Sequence, residues 1–187
     1  MNKFIVIEGL DGSGKSTQVN KLCDFLQNQQ ISYQYLHFPV TDSPVFGELV
    51  GKFLRGDLGS LEEVNPYLVA LLYAGDRSNV KAQIEQWLSE DQLVLVDRYV
   101  FSNVAFQCAK LESKKDRLAL RQWIENAEYR YFKIPRPDLS FFLDVPFAFT
   151  QKKLTGPREG EDREYLQGKE DIHEASLSFQ EKVRARS

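Results

Sequence analysis

Apolar residues fall along this chain in two rhythms. Short unbroken runs, Phe4-Ile5-Val6-Ile7 and Leu93-Val94-Leu95-Val96, carry the signal of strands buried on both faces. Elsewhere apolar positions recur at helical spacing. A first strand, about Lys3 to Glu8, precedes an amphipathic helix, about Lys15 to Gln29, with Val19, Leu22, Cys23, Phe25 and Leu26 as its apolar positions. A second strand, Ser32 to Phe38, stops at Pro39, which supports neither helix nor ladder. Helical spacing returns over Val45 to Leu54, then over one longer stretch, Asn65 to Leu88, where Tyr67, Leu68, Leu71, Leu72, Ile84 and Leu88 form a face. The third strand ends on Asp97. Beyond it the pattern predicts helices at about Phe101 to Leu111 and Lys115 to Glu128, then a fourth strand, Leu139 to Val145, closed by Pro146. The last predicted helices are Phe147 to Leu154 and Ile172 to Arg186.

Strand, helix, strand with an intervening helix of this length is a βαβ unit, so the expected fold is an α/β three-layer sandwich with a central parallel sheet. Ligands of such sheets sit at the carboxyl ends of the strands, where Asp11, Phe38 and Asp97 fall. A length of 187 residues suits one domain, 1–187, in which the polar, Gly-rich segment from Gly156 to Lys169 reads as a loop. There is no internal repeat. No stretch approaches the ~20 apolar residues that cross a bilayer, and Met1-Asn2-Lys3 leads straight into a strand, so neither a membrane span nor a signal peptide is expected. The two cysteines, Cys23 and Cys108, lack metal-ligand spacing and suit a reducing cytoplasm. With 24 basic against 27 acidic residues and a net charge of −3, no global field draws in nucleic acid or an anionic membrane. Any recognition of phosphate has to be local.

Gly9-Leu10-Asp11-Gly12-Ser13-Gly14-Lys15-Ser16-Thr17 supplies it. Between a strand and a helix, this stretch completes the P-loop pattern, in which backbone N–H groups and a helix N-terminus surround nucleotide phosphates, the P-loop NTPase type of α/β fold. Lys15 reaches the β- and γ-phosphates as a point charge, and the Ser16 hydroxyl takes one position on Mg²⁺. Asp97, ending an apolar strand, matches a Walker-B carboxylate that holds Mg²⁺ directly or through water; its plainer reading is a strand-end cap. Arg98 faces the same crevice with a planar fork that suits a phosphate, against the plainer reading of an ion pair with Asp97 or Glu8. Asp11 would repel a phosphate unless a cation or a sugar hydroxyl intervened, which points to a second ligand beside the triphosphate.

These blocks, with Phe38-Pro39, Tyr73 through Arg77, Asp97-Arg98-Tyr99 with Ser102 and Val104-Ala105-Phe106-Gln107, and Pro137-Asp138 before Leu143-Asp144-Val145-Pro146, resemble the thymidylate kinase family of nucleoside monophosphate kinases. They occur in family order over nearly all of the chain. The resemblance implies transfer of the ATP γ-phosphoryl group to dTMP with Mg²⁺, in a homodimer. It implies that Arg98 holds the acceptor phosphate and that Asp11 lies near the acceptor sugar or the metal. Tyr73 would stack on thymine, Arg77 would bond the base edge, Gln107 would lie beside the base, and Phe38 and Phe106 would wall the pocket. Read singly, Phe38, Tyr73 and Phe106 are more often core residues than stacking platforms, and Arg77 is a solvated helix charge. Gly156 to Tyr165 resembles the family's lid. Where some members carry an arginine in the P-loop, this chain has Gly12, so the resemblance assigns the transition-state charge to Arg158 or Arg163 and sets Tyr165 at the substrate.

Two departures stand out. Val40-Thr41-Asp42-Ser43 offers no arginine after Phe38-Pro39, and the sequence ends within the last predicted helix, where the family continues into a fifth strand and a loop over adenine. Two alternatives remain: a kinase of the same fold acting on another nucleoside monophosphate or a deoxynucleoside, and a nucleotide-binding homologue without turnover. The guanine-reading Asn-Lys-x-Asp pattern of a GTPase switch is absent.

Overall fold

The computed structural model describes residues 3–155 and 165–185. Four strands, β1 (Phe4–Gly9), β2 (Tyr33–His37), β3 (Leu93–Asp97) and β4 (Leu139–Leu143), form one sheet in the order β2-β3-β1-β4, with every pairing parallel. Eight helices are described among these residues: α1 (Lys15–Asn28), α2 (Phe46–Leu54), α3 (Pro66–Asn79), α4 (Lys81–Ser89), α5 (Val100–Cys108), α6 (Lys114–Asn126), α7 (Phe147–Leu154) and α8 (Leu177–Arg184). The expected α/β sandwich with a parallel sheet is the observed one.

Side chains of a strand alternate between its faces, which is why the two apolar runs feed two cores. Phe4, Val6, Val94 and Val96 pack with Ala70, Ile84, Leu120 and Ile124 on the side of α3 to α6. Ile7, Leu93 and Leu95 pack with Val19 and Leu26 of α1 on the other. The register sets Asp97 opposite both Ile7 and His37, so β2 and β3 end level and β1 runs two residues further, to Gly9. The P-loop, Phe38 and Arg98 therefore leave the sheet at one edge.

Three boundaries differ from the sequence pattern. The stretch Asn65 to Leu88 is two helices, α3 and α4, joined at Val80 (φ −102°, ψ 3°). Its apolar spacing runs on through the joint because Ala70 of α3 and Ile84 of α4 enter the same core. The last helix starts at Leu177 instead of Ile172: the Ser176 hydroxyl accepts from Phe179 N at 3.2 Å as its N-cap, and the Asp171 carboxylate holds His173 N at 2.8 Å in the preceding turn. Finally, α6 passes at Asn126 into a π turn, Ala127–Tyr131. Of the segment expected as a lid, residues 156–164 lie outside the described residues, and Arg158 and Arg163 with them.

Candidate nucleotide-binding active site

The P-loop connects β1 to α1 through two residues in the left-handed region, Gly12 (φ 73°) and Gly14 (φ 88°), the latter acting as the N-cap of α1. A Cβ at Gly12 would lie 3.1 Å from the Lys153 Cβ and 3.2 Å from the Thr150 carbonyl oxygen. The packing of α7 against the loop thus goes with glycine at this position. Leu10 is buried in the core and anchors the loop, whereas Ser16 and Thr17 are exposed on the first turn of α1 and line a cavity of about 1100 Å³. Lys15 is buried, its Nζ donating to the carbonyls of Leu10 (2.9 Å) and Gly9 (3.2 Å). Burial, and after it the Arg98 charge, lowers its ammonium to about 8.

Across the cavity, Arg98 adopts φ 68°, a costly conformation for a residue with a side chain, and its N–H donates to Ile7 O at 2.9 Å. Its guanidinium bonds Asp11 through Nη2 and Ser102 Oγ through Nη1 (3.2 Å), and lies 5.3 Å from the centre of the Phe106 ring. Burial alone would raise the Asp11 carboxyl; Arg98 and then Lys15 outweigh it and hold Asp11 well below the carboxylate range. Glu8, which received no site role from the sequence, fixes this corner. It accepts from Tyr99 N (3.0 Å), Ser102 N (3.3 Å) and the Ser102 hydroxyl, pinning the N-terminus of α5, and burial pushes its carboxyl up.

Asp97 is buried at the end of β3, with Oδ2 3.4 Å from His37 Nδ1 and Oδ1 without a hydrogen-bond partner among the described residues. An orphaned acceptor of this kind fits a cation, and Ser16 lines the same cavity. No group of three His, Cys, Asp or Glu side chains able to hold a metal occurs among the described residues, so water and phosphate oxygens would complete the shell.

The remaining expected residues gather at the other end. Tyr73, Gln107 and Tyr165 line the cavity, and both amide atoms of Gln107 are buried without partners among the described residues. Phe106 packs against His173 (4.8 Å between ring centres) and Phe179 (6.1 Å). Phe38 and Arg77 also line it, though both are almost wholly buried: the guanidinium sits 5.7 Å from the Phe38 ring centre and 5.8 Å from that of Tyr99. The Arg77 fork is bidentate to Glu128, with Nε donating at 2.8 Å and Nη2 to the other oxygen. Burial works against that charge, yet Glu128 raises the guanidinium above its ordinary value.

A family model for thymidylate kinase matches residues 7–187. The chain belongs to the thymidylate kinase family. It is 32% identical over 151 residues to the thymidylate kinase of Plasmodium falciparum, which covers 81% of this chain and 65% of that one. To the thymidylate kinase of Mycobacterium tuberculosis it is 31% identical over 153 residues, 82% of this chain and 71% of the relative. A probable thymidylate kinase of Methanococcus aeolicus is 34% identical over 179 residues, 96% and 78% of the two chains. Among solved structures, that of thymidylate kinase from Candida albicans superposes with a TM-score of 0.71 at 25% identity, over 98% of this chain and 75% of the other. The chain thus spans about two thirds to four fifths of the length of these relatives.

Several residues of the site escaped sequence reasoning. Asn103, Glu128, His173 and Gln180 are buried polar side chains around the cavity. Glu128 did leave a signal: it extends the Leu120, Ile124 stripe by four residues, a carboxylate on an otherwise apolar line. Asn103 sits inside the block from Ser102 to Gln107 without a signal of its own, and His173 and Gln180 belong to no motif.

Proposed function

We propose that this protein transfers the γ-phosphoryl group of ATP to dTMP, giving dTDP and ADP. The observation that carries this reading is that Lys15 of the P-loop, the Arg98–Asp11 pair and the group of Tyr73, Arg77 and Gln107 all open on one cavity. Lys15 and the backbone N–H groups from Gly9 to Thr17 hold the β- and γ-phosphates. Arg98 forks onto the acceptor phosphate, and Asp11 takes the acceptor sugar. A phosphate oxygen of dTMP then attacks the γ-phosphorus as the bond to the ADP oxygen breaks, the electron pair leaving with ADP. The protein contributes alignment and fixed positive charge. Tyr73 stacks on the base, Arg77 and Gln107 meet its edge, and Phe38, Phe106 and Tyr165 enclose it. Ser16 and Asp97 would hold Mg²⁺, which would supply positive charge against the phosphate oxygens.

The charge on the moving phosphoryl group comes from Arg158 or Arg163. Alanine at the responsible position should lower kcat by about a thousandfold with little change in KM, while the other variant stays within about tenfold. Single-turnover rates for the two variants identify it; both remaining near the parent rate would remove the role from this segment.

The protein works in the cytoplasm as a homodimer, for which Leu68 and Leu71 on α3 are the exposed apolar positions. No described helix is long and apolar enough to cross a membrane. Sedimentation showing a monomer at micromolar concentration would dismiss the dimer. A coupled ADP-release assay across the nucleoside monophosphates tests the activity. Preference for dTMP is the expected outcome; preference for another acceptor, or no turnover, overturns it.

A further inference from the structure

Glu128 is fully buried and lies beside the site without lining it. It follows Leu120 and Ile124 at four-residue spacing on the buried stripe, and the π turn Ala127–Tyr131 carries it. A π turn inside a helical segment is rare and occurs often at functional sites. A carboxylate this deep is costly unless its lone pairs are taken. Three donors take them: Arg77 Nε at 2.8 Å, Arg77 Nη2, and Asn103 Nδ2 at 3.0 Å.

The third donor has a chemical consequence. Asn103 Nδ2 also donates to the Ala70 carbonyl at 3.0 Å. Both partners of that nitrogen are acceptors only, so the amide cannot turn over without setting two acceptors against Oδ1. Oδ1 is left on the opposite side, buried and without a hydrogen-bond partner among the described residues, in a side chain that lines the cavity. Arg77, which lines the same cavity, can only donate. The two side chains are 26 positions apart and share no element; Glu128 joins them.

We propose that Glu128 is the positioning residue for base selection: by accepting from Arg77 and Asn103 together, it fixes a donor beside an acceptor left unpaired, the complement of a pyrimidine with a 4-oxo group and an N3–H. A 4-amino pyrimidine would meet donor against donor and acceptor against acceptor. This inference rests on the proposed nucleoside monophosphate kinase activity and adds to it a residue that touches no substrate.

The test is the ratio of kcat/KM for dTMP over dCMP, with the ratio of the two dissociation constants as a readout independent of turnover. In Glu128→Gln the new amide can donate to Asn103 and release its fixed orientation, so both ratios should fall by about tenfold or more. KM for ATP should stay near the parent value. Glu128→Asp keeps an acceptor-only group and should hold the ratios within about threefold of the parent. Should Glu128→Gln fail to fold, Asn103→Leu leaves the Arg77–Glu128 pair in place and carries the same expectation of a tenfold fall. Unchanged ratios in a folded Glu128→Gln or Asn103→Leu protein overturn the inference and leave the activity standing. A parent protein that binds and phosphorylates dCMP as well as dTMP overturns the inference alone, whereas no turnover of either overturns the activity beneath it.

Discussion

Gln180 donates through Nε2 to Asp11 Oδ2 at 2.7 Å, tying α8 to the P-loop across 169 positions of sequence. The same nitrogen donates to His173 O at 3.0 Å, so the amide is held from two sides. Gln180→Leu keeps the volume and removes both bonds. Acceptor KM should rise about tenfold as Asp11 loses its aim, with KM for ATP changing less than about threefold and stability falling by about 1–3 kcal/mol. Steady-state kinetics with each substrate varied checks the split; an unchanged KM for dTMP would show that Asp11 needs no such support.

Arg98→Ala should lower kcat/KM for dTMP by about a thousandfold, the scale of losing one fixed charge at a developing anion. It should also destabilise the fold by about 3–5 kcal/mol, because Asp11 would remain largely buried without its partner. Pairing it with Asp11→Asn should restore most of the stability and none of the activity. Thermal unfolding beside turnover separates these two effects.

Asp171 and His173 predict a pH signature. Burial first, then the charge of Asp11, raises the Asp171 carboxyl from 3.8 to about 7. Between those values the unfolded chain has lost a proton that the folded chain keeps, so stability falls as pH rises. Burial first, then the Lys110 charge, lowers the His173 imidazole from 6.5 to about 3. There the unfolded chain binds the extra proton, so stability falls as pH falls. The two slopes oppose each other between about pH 4 and 6.5. Asp171→Asn should uncover a stability that rises through this window by up to about 1.4 kcal/mol per pH unit, and His173→Phe one that falls. Urea melts at half-unit steps of pH would reveal either slope; flat profiles in both variants would refute the pairing.

Gly75 of α3 faces the ring of Phe46 on α2. A Cβ there would lie 2.4 Å from Phe46 Cδ1. Gly75→Ala should therefore cost about 1–3 kcal/mol by overpacking, with Phe46→Leu recovering part of it. Because α3 also carries Tyr73 and Arg77, KM for dTMP should rise in the single variant and fall back in the double. Thermal midpoints and dTMP kinetics on both proteins check this; an unchanged midpoint in Gly75→Ala would mean that the helices separate freely.

The parallel sheet, the phosphate loop and the carboxyl-edge position of Asp97 and Arg98 were legible from residues Gly9 to Thr17 and Leu93 to Tyr99, because each is a local pattern: a run, a turn, a helix start. The joint at Val80 was not, since α3 and α4 both turn an apolar face to one core and the spacing passes through it unbroken. The same limit governs the site. Arg77 reads as a charge on a helix, and only the fold shows that Glu128, from a turn 51 positions away, neutralises it within the core. Asn103 and Gln180 are ordinary amides until their partners are known. Sequence by itself determined which groups exist and which local backbone presents them. The tertiary structure decided which of them meet, because burial and hydrogen-bond complementarity depend on what packs opposite, and that residue is rarely a neighbour along the chain.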